Sequence, residues 1–374
     1  MKIIHVLPLT GHKSMIVFGS VILNFFDNNQ GVLGGDHEFI FEYSPESGHK
    51  ELLIDKLNPG VIKKVKFLMK ADVTRDIFSQ EQSHVYFHQL PSVYVRVIFL
   101  LMFMIKRKIK YSWVIWGGDL YNNWNVVEGG NKKTLIEGLK LKAKKMIDTF
   151  FVKKMCYVCS VSDDLSVFDM MYPNSSARHK IFYYPNNMLS SVSHVTKPAH
   201  KDKKILISHS ASMSNNHLEV INLISHLKDQ EVIVVAVLSY GASEQYIDMV
   251  IAEGKRVFGE KFVPILDFMS ENEYMEFLNT INIAIILPDR QAGIWTTITM
   301  IAAGVKVYYK STSSPYEWYK GLGLKIYDAL TIQSVSNNDI LNIDKVVLSR
   351  NISIVKEVYS NDIMVSMFKS TFTD

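Results

Sequence analysis

Cysteine is nearly absent from this sequence: Cys156 and Cys159 are the only two among 374 residues. Their Cys-Tyr-Val-Cys spacing is typical of a redox or metal pair, but neither a second pair nor a Cys/His cluster accompanies it. The surrounding run is apolar and strand-like. We therefore interpret both residues as plain buried thiols of a protein that works in a reducing cytosol.

Long apolar runs are also missing. The most apolar stretch, residues 97–105, is much shorter than the roughly 18 apolar residues that a membrane-spanning helix needs. The first seven residues have neither the basic start nor the cleavage site of a secretory signal. Neither a transmembrane protein nor an exported one is expected.

Charge of one sign is not in large excess, since 41 Lys and Arg face 37 Asp and Glu and leave a net charge of +4. This balance does not favour a nucleic-acid partner. The chain also lacks any Asp-X-Asp triplet, the motif that commonly holds a metal for nucleotide-sugar diphosphates. We therefore expect no metal and no other cofactor. Basic side chains and helix termini would instead stabilise the negative charge of a diphosphate.

What the sequence has is enough apolar residues, 48%, for two cores, and a regular alternation of strands and helices. The alternation predicts parallel sheets with helices on both faces. Predicted strands lie at 2–7, 37–43, 85–88 and 111–116, and then at 204–208, 232–238, 262–265, 283–287 and 306–309. Predicted helices include 14–27, 243–254, 271–279, 296–303 and 354–368.

A change of composition divides the chain. Residues 190–204 are rich in Ser, Thr, Pro, His and Lys and are interpreted as an interdomain linker. We predict a Rossmann-like domain at 1–190, a linker at 191–204, a second Rossmann-like domain at 205–350, and a C-terminal helix at 351–374 that crosses back to the first domain. Ligands of such sheets bind beyond the carboxyl ends of the strands, so the loops there are the candidate sites.

The strongest local pattern is residues 289–297, which follow a predicted strand and open a helix. Gly293 permits close backbone approach, and the free N–H groups of the helix start suit a phosphate, as do the Thr296 and Thr297 hydroxyls. Arg290 adds a fixed positive fork for a diphosphate. A capped helix with a surface arginine remains the structural alternative.

A second candidate is the polar loop 208–217, which follows the first strand of the second domain. Ser210 and Ser214 are placed where many nucleotide folds bind phosphate, although an N-cap by Ser214 or Asn215 explains part of the pattern. Tyr240, after the next strand, is a candidate contact for the base or a phosphate.

The first domain offers Asp119, which follows a strand and the pair Gly117-Gly118. A carboxylate there can take a proton from an acceptor hydroxyl, or it can merely cap the next helix. His88, at the end of another strand, is a second candidate base or phosphate donor. His5 lies inside a strand and is interpreted as a core or cleft-floor residue.

Basic residues are interleaved with apolar ones at 106–110, 139–147 and 150–154. This amphipathic pattern is typical of a surface that binds anionic lipid headgroups, and equally of a solvated helix packed on a core.

Together these motifs resemble the TDP-4-acetamido-4,6-dideoxygalactose (Fuc4NAc) transferases of glycosyltransferase family 56, over most of the chain. The residues that carry the resemblance in the first domain are Phe87-His88, Trp113, Ile115-Trp116-Gly117, Asp119-Leu120-Tyr121, Asp164-Leu165-Ser166, Phe168 and Tyr184-Pro185. In the second domain they are Ser210, Ser214-Asn215, His217, Tyr240, Arg290-Gln291, Gly293-Ile294 and Thr296.

The resemblance implies an α/β fold of the GT-B type, with two Rossmann-like domains whose parallel sheets face a central cleft. It implies transfer of Fuc4NAc, or of a related 4-amino-sugar, from a TDP-sugar to an undecaprenyl-diphosphate-linked glycan in O-antigen or enterobacterial common antigen synthesis. The location implied is the cytoplasmic face of the inner membrane. Thr299 occupies the place where related enzymes bind ribose hydroxyls through a glutamate, which favours a deoxyribose donor.

The resemblance also assigns the candidate roles. Asp119 and His88 serve the acceptor, and Ser210, Ser214, Asn215, His217, Tyr240, Arg290, Gln291, Gly293, Ile294, Thr296 and Thr297 serve the donor nucleotide. Met213 and Trp295 depart from the family pattern and leave the exact donor sugar open. A sugar-nucleotide epimerase and a non-catalytic sugar-nucleotide-binding protein remain the alternatives.

Overall fold

The chain folds into two compact units, each built on one parallel sheet, as the alternation of strands and helices predicts. The first unit comprises Met1–Pro185 together with Asn361–Asp374, and the second comprises Asn186–Ser360. The structure is a computed structural model that describes residues 1–9, 14–80, 82–103, 108–121, 135–186, 189, 203–289 and 293–373.

The sheet of the first unit has seven strands in the order β3-β2-β1-β4-β5-β6-β7. Their bounds are β1 Lys2–Pro8, β2 Asp36–Glu42, β3 Val65–Leu68, β4 Ser83–His88, β5 Ile109–Val114, β6 Met155–Ser160 and β7 Arg178–Ile181. The central strands are buried on both faces, which is why they form nearly continuous apolar runs. The polar exceptions on these strands include His5, His84 and His88, all buried.

The helices of the first unit are Ser14–Asn28, Gln30–Leu33, His49–Ile54, Lys70–Ser79, Val93–Phe103, Leu135–Val152, Ser162–Met171 and Asn361–Phe372, with 3₁₀ turns at Pro45–Ser47 and Ile62–Lys64. A buried ion pair between Arg96 and Asp148 joins helix Val93–Phe103 to helix Leu135–Val152. Within the described parts of the chain, no helix combines the length and apolar character needed to cross a membrane.

The sheet of the second unit has six strands in the order β10-β9-β8-β11-β12-β13. Their bounds are β8 Lys203–Ile207, β9 Val232–Val237, β10 Phe262–Ile265, β11 Ile283–Ile286, β12 Lys306–Tyr309 and β13 Tyr327–Asp328. Strand order reverses at β8, which lies between β9 and β11. Such a switch point leaves a crevice at the carboxyl ends of the strands, where ligands bind in open sheets.

The helices of the second unit are His217–Leu223, Glu244–Phe258, Glu271–Thr280, Ile294–Ala302, Ser314–Gly321, Asn337–Leu341 and Lys345–Val358, with 3₁₀ turns at Met213–Asn215, Ser225–Leu227, Gly259–Lys261 and Ala329–Ser334. Helix Glu271–Thr280 begins with a capping box, in which Ser270 and Glu273 bond each other's backbone N–H. An apolar core lies on one face of this sheet, with Ile205, Val234 and Ile285 buried in it.

Every strand predicted from the apolar runs is present, with ends displaced by at most two residues. Strands β3, β7 and β13 were not predicted. β3 and β7 are edge strands of four residues, and β7 is largely exposed, so neither has the apolar pattern of a buried strand.

The prediction of one helix over residues 354–368 is wrong. Within that range helix Lys345–Val358 ends, and a second helix runs over Asn361–Phe372. Tyr359 and Ser360 separate the two helices. The interruption coincides with the point where the chain leaves the second unit for the first. The Asn361 side chain donates to Asn29 Oδ1 at 3.1 Å, which ties the start of the new helix to the first unit.

The predicted linker at 191–204 lies mostly outside the described residues, and its last two residues, Lys203 and Lys204, already belong to β8. Cys156 and Cys159 both lie on β6 as free thiols, but only Cys159 is buried as predicted, whereas Cys156 is partly exposed. Burial raises the pKa of Cys159 to about 12.

Candidate functional site

Three loops converge at the switch point of the second unit. They follow β8, β9 and β11, which are neighbours in the sheet and all end at the same edge. The convergence brings together most of the described residues that the sequence assigns to the donor. Arg290 and Gln291 lie outside the described residues.

The loop after β8 is folded back on itself. Asn215 Nδ2 donates to Ser210 O at 2.8 Å and to Ser210 Oγ at 3.1 Å, and Ser208 Oγ donates to Asn215 O at 3.2 Å. Ser212 Oγ and Ser214 Oγ share a hydrogen bond of 2.9 Å. Ser208 has a φ of 60°, a left-handed conformation that costs energy in a residue with a side chain. The loop therefore has one defined conformation.

The loop after β9 is joined to the loop after β8 by the backbone. Ala211 N–H donates to Tyr240 O at 2.8 Å. Gly241, with a φ of 104°, lies so close that a Cβ atom would stand 3.1 Å from Ser212 N. Burial raises the pKa of the Tyr240 hydroxyl, which therefore stays protonated. These contacts place Tyr240 directly beside the serine loop.

The loop after β11 contacts the loop after β8 as well. Asp289 N–H donates to Ser214 O at 3.0 Å, and the Asn216 side chain donates to Leu287 O and to Asp289 Oδ1. Gly293 has a φ of 62°, and a Cβ atom on it would lie 2.6 Å from the ring of His209. Only glycine fits here, because a side chain would meet both the strained φ and the imidazole.

Helix Ile294–Ala302 starts immediately after Gly293, so its first free backbone N–H groups and the positive end of its dipole lie at the convergence of the three loops. Ile294 and Thr296 are partly exposed, and Thr297 is fully buried. Thr297 Oγ1 and Asn215 Oδ1 are buried without a hydrogen-bond partner in the described part of the chain. A buried polar atom in this state lacks a hydrogen-bond partner that it needs.

His217 is less exposed to a ligand than the sequence suggested. It begins a short helix, is fully buried, and its Nδ1 lies 3.2 Å from the Tyr246 hydroxyl. Burial, with a smaller contribution from His209, lowers the pKa of His217 to about 4. The ring is therefore neutral at physiological pH and carries no charge to a phosphate.

Sequence reasoning missed Lys310, the residue that follows β12. Lys310 Nζ lies 2.8 Å from Asp289 Oδ1, which places an ammonium group beside the loop that follows β11. Its position directly after a strand was the available signal. Among the described residues, no group of three or more His, Cys, Asp or Glu side chains is arranged to hold a metal ion.

Thr299, interpreted as the ribose position, is fully buried. Its hydroxyl donates to Trp295 O at 2.9 Å and accepts from Asn186 Nδ2 at 2.9 Å. The hydroxyl therefore belongs to the internal bonding of the helix start.

In the first unit, Asp119 organises the edge of the sheet next to β5. Its carboxylate accepts four hydrogen bonds, from Leu90 N–H and Trp113 Nε1–H at one oxygen, and from Trp116 N–H and Leu120 N–H at the other. Burial raises the pKa of Asp119, against the lowering effect of these donors. Gly117, with a φ of 86°, permits the tight turn.

His88, the last residue of β4, is fully buried, and burial lowers its pKa to about 3. Its Nε2 lies 2.9 Å from His5 Nδ1, and its Nδ1 is hydrogen-bonded to the Tyr184 hydroxyl. Both ring nitrogens are thus occupied within the protein, so any effect of His88 on a substrate passes through Tyr184. Sequence reasoning missed this role of Tyr184, although Tyr184-Pro185 stood among the family residues.

Solved structures share this fold at low sequence identity. HepE of Anabaena in complex with UDP is 11% identical, with a TM-score of 0.68 and coverage of 99% of both chains. A glycosyltransferase of Rickettsia africae is 11% identical, with a TM-score of 0.66 over 99% of this chain and 98% of that one. The N-terminal domain of Candida albicans trehalose-6-phosphate phosphatase is 10% identical, with a TM-score of 0.68 over 99% and 95%. The fold is the predicted GT-B fold.

A family model described as 4-alpha-L-fucosyltransferase, glycosyl transferase group 56, matches residues 1–319 of this chain. The match includes both sheets up to β12 and all the candidate residues of both units. It confirms the resemblance read from the sequence motifs. The protein belongs to glycosyltransferase group 56 and is a sugar transferase with the GT-B fold.

Proposed function

We propose that this protein moves a 4-amino-4,6-dideoxy sugar, Fuc4NAc or a relative, from a TDP-sugar to a polyprenyl-diphosphate-linked oligosaccharide. The product serves O-antigen or enterobacterial common antigen synthesis. The observation that carries the proposal is the convergence of three loops at the switch point of the second unit, with Thr297 Oγ1 and Asn215 Oδ1 buried there and unpartnered among the described residues. The second unit binds the donor, and the first binds the acceptor.

The donor diphosphate binds at the start of helix Ile294–Ala302. The close approach at Gly293, the free N–H groups and the Thr296 and Thr297 hydroxyls supply hydrogen bonds to its oxygens. Ser210 and Ser214 face the same place from the loop after β8, and Arg290 and Gln291 complete the set. Lys310 brings a further positive charge. These fixed donors stabilise the departing diphosphate without a metal ion.

The nucleotide lies on the Tyr240 side, where the phenol contacts the base or a phosphate. The Anabaena neighbour binds UDP, which supports a nucleotide-sugar donor here. A Thr299→Glu substitution does not discriminate TDP from UDP, because it would bury a carboxylate in the helix start. Competition between the two nucleotides for the purified protein measures the preference directly.

On the acceptor side, Asp119 holds the turn that follows β5, and one of its four hydrogen bonds fixes the Trp116 backbone. Whether Asp119 also takes a proton depends on one of its oxygens exchanging a protein donor for the acceptor hydroxyl. His88 acts on the acceptor only through its hydrogen bond with the Tyr184 hydroxyl.

The test incubates the purified protein with several TDP- and UDP-sugars and with membrane-extracted lipid-linked glycans, and reads the products by mass spectrometry. The proposal predicts a mass gain of one 4-amino-dideoxy sugar on the lipid-linked glycan, from TDP donors. A changed donor sugar without any acceptor would indicate an epimerase. Donor binding without turnover on any acceptor would indicate a binding protein, and either result would overturn the proposal.

We also propose that the first unit docks on the cytoplasmic face of the inner membrane. Helices Val93–Phe103 and Leu135–Val152 expose large apolar side chains, namely Tyr94, Val97, Leu101, Leu139, Met146 and Phe150. Exposed lysines lie on the second helix and directly after it, among them Lys142 and Lys153. Apolar side chains together with lysines suit the interface of an anionic bilayer.

Sedimentation with vesicles tests the docking. Vesicles rich in phosphatidylglycerol should retain the protein at low salt, and the double variant Met146→Glu with Phe150→Glu should lose the binding. A matched pair, Met213→Glu with Val346→Glu, changes exposed apolar residues of the second unit and should bind like the parent protein. Equal binding by both double variants, or no binding by the parent, would contradict the docking surface.

A further inference from the structure

A row of hydrogen-bonded side chains runs through the first unit, outside the donor site. It contains Trp116, Tyr184, His88, His5 and His37. His88 Nε2 lies 2.9 Å from His5 Nδ1, and His5 Nε2 lies 3.0 Å from His37 Nδ1. At the far end, His37 Nε2 lies 3.0 Å from the carbonyl oxygen of Gly34.

The three histidines meet because of the sheet order. β1 lies between β2 and β4, and His5 is in register with Phe39 on one side and Tyr86 on the other. His37 stands two residues before Phe39, and His88 stands two residues after Tyr86. All three imidazoles therefore lie on one face of the sheet, along a diagonal from its carboxyl edge towards its amino edge.

All three rings are buried and neutral. His5 and His88 are fully buried, and His37 is 7% exposed. Burial lowers the pKa of His88 to about 3 and that of His37 to about 4, and it lowers the pKa of His5 well below the ordinary value. Each neutral ring has one N–H donor and one acceptor nitrogen.

The partners at the two ends fix the position of every proton. A carbonyl oxygen only accepts, so His37 Nε2 carries its proton, and His37 Nδ1 accepts from His5. His5 Nδ1 then accepts from His88 Nε2, and His88 Nδ1 accepts from the Tyr184 hydroxyl. The indole of Trp116 only donates, and it donates to the Tyr184 oxygen. All the hydrogen bonds point the same way.

This order leaves Tyr184 with a defined chemical role. The Tyr184 hydroxyl donates its proton in the hydrogen bond to His88 and accepts one hydrogen bond from Trp116. The second lone pair of the Tyr184 oxygen can therefore only accept a hydrogen bond. Tyr184 as a residue is partly exposed, and it follows β7 beside Trp116 at the carboxyl edge of the sheet. Burial raises the pKa of its hydroxyl well above the usual range, so the group is a neutral phenol. Ligands of parallel sheets bind at this edge.

We propose that Tyr184 takes the proton of the acceptor hydroxyl, and that His88, His5 and His37 form a proton wire that holds it during sugar transfer. The inference rests on the proposed transferase function. Tyr184 is the catalytic residue in this scheme, and the three histidines are positioning residues that act through it.

The proton count balances. As the acceptor oxygen bonds to the sugar carbon, its proton passes to the Tyr184 oxygen, and the Tyr184 proton passes to His88 Nδ1. The His88 Nε2 proton moves to His5 Nδ1, and the His5 Nε2 proton moves to His37 Nδ1. Four bonds to hydrogen break and four form, and His37 becomes an imidazolium whose Nε2–H still donates a hydrogen bond to Gly34 O. The reverse shift then returns one proton through Tyr184 to water.

The His37 end is suited to a brief positive charge. It lines a cavity of about 20 Å³, with Asp27, Gly34 and Lys64 also in its wall, which is large enough for about one water molecule. Burial opposes the protonated ring most strongly and Lys64 opposes it further, whereas the hydrogen bond to Gly34 O and the charge of Asp36 favour it. His37 therefore holds the proton only while the acceptor hydroxyl becomes acidic during transfer, and it releases the proton afterwards.

The first test needs no turnover. Nitrogen-15 NMR of histidine-labelled protein reports which ring nitrogen carries the proton, and single His→Gln variants assign the signals. The wire requires the Nε2–H tautomer for His5, His37 and His88 at neutral pH. An Nδ1–H tautomer or a charged ring at any of the three histidines would overturn the proton wire, independently of whether the protein transfers sugars.

The second test compares turnover. Gln at position 5 can accept and donate a hydrogen bond but cannot relay a proton, so His5→Gln should lower kcat about 10²-fold with KM nearly unchanged. Tyr184→Phe should do the same. The parent enzyme should show a solvent deuterium isotope effect with a curved proton inventory, which both variants lose.

His84→Gln is the matched control. His84 lies on the same face of β4 as His88 and is 1% exposed, but it is bonded to Ser112 Oγ at 2.7 Å and lies outside the wire. It should keep the parent isotope effect, and thermal melting checks that all variants fold. Equal effects of His5→Gln and His84→Gln would refute the wire. Absence of transfer by the parent would refute the transferase function instead, with the tautomers still deciding the wire.

Discussion

Replacing Asp119 with Asn separates the two roles that this carboxylate can have. The change keeps the size of the side chain and removes its charge. One oxygen becomes an NH₂ group, which can only donate. Since all four observed partners of Asp119 are N–H donors, the amide must turn a donor toward at least some of them.

The least costly orientation follows from the geometry. The remaining oxygen keeps Leu90 N–H and Trp113 Nε1–H, because Leu120 N–H still has Gly117 O at 2.9 Å. Trp116 N–H then faces the NH₂ group. One orphaned donor costs about 1–3 kcal/mol, and two bonds that lose their charged acceptor cost about 1 kcal/mol each, so the free energy of unfolding should fall by about 3–5 kcal/mol.

Urea unfolding followed by circular dichroism measures this loss, beside turnover on the lipid-linked glycan. Asp164→Asn is the control in the same unit, because its partners include the hydroxyls of Tyr121 and Ser160, which can turn and accept from an amide. It should lose less stability than Asp119→Asn. If Asp119→Asn unfolds within about 1 kcal/mol of the parent while kcat falls 10²-fold or more, the organising role is refuted and Asp119 is a base.

Three further predictions concern both units. The first unit should lose stability as the pH falls below 6.5, by up to about 1.4 kcal/mol per pH unit for each of His37, His84 and His88, because burial holds their pKa values at about 4, 3 and 3 while the unfolded chain takes up the protons. Denaturant unfolding at pH 7, 6 and 5 measures this loss, and a constant stability would contradict it. Gly293→Ala should destabilise the second unit by about 1–3 kcal/mol and weaken donor binding, because the new Cβ meets His209 at a positive φ; calorimetry should detect both, and parent-like affinity would rule out close backbone approach. Thr297→Val should leave melting nearly unchanged and raise the donor Kd about 10-fold, since it removes a hydroxyl with no partner in the described structure; an unchanged Kd would show that this hydroxyl does not bind the diphosphate.

Local patterns made much of the fold predictable. A strand buried on both faces is mostly apolar, so β1, β4, β9 and β11 could be located from their apolar runs. The edge strand β7 could not, because its side chains are largely exposed and carry no period. The interruption at Tyr359 was missed for a similar reason, since both helices beside it are amphipathic and the break depends on which unit each one packs against.

The donor site was predictable to the level of its loops. A polar segment that follows a buried strand in a parallel sheet must lie at the carboxyl edge, and this rule located Ser210, Tyr240 and Gly293. Their mutual contacts were not predictable, because they depend on β8 lying between β9 and β11. Lys310 was overlooked because a single lysine after a strand is common.

By itself the sequence determined the alternating α/β class, the motifs of the family and the loops that follow the strands, because each of these depends on residues close together in the chain. Only the tertiary structure decided that His5, His37 and His88 form one hydrogen-bonded row ending at Tyr184, and that Asp119 gathers four donors. The reason is the order of the strands: β1 pairs with both β2 and β4, and pairing between distant segments is set by the packing of the whole sheet.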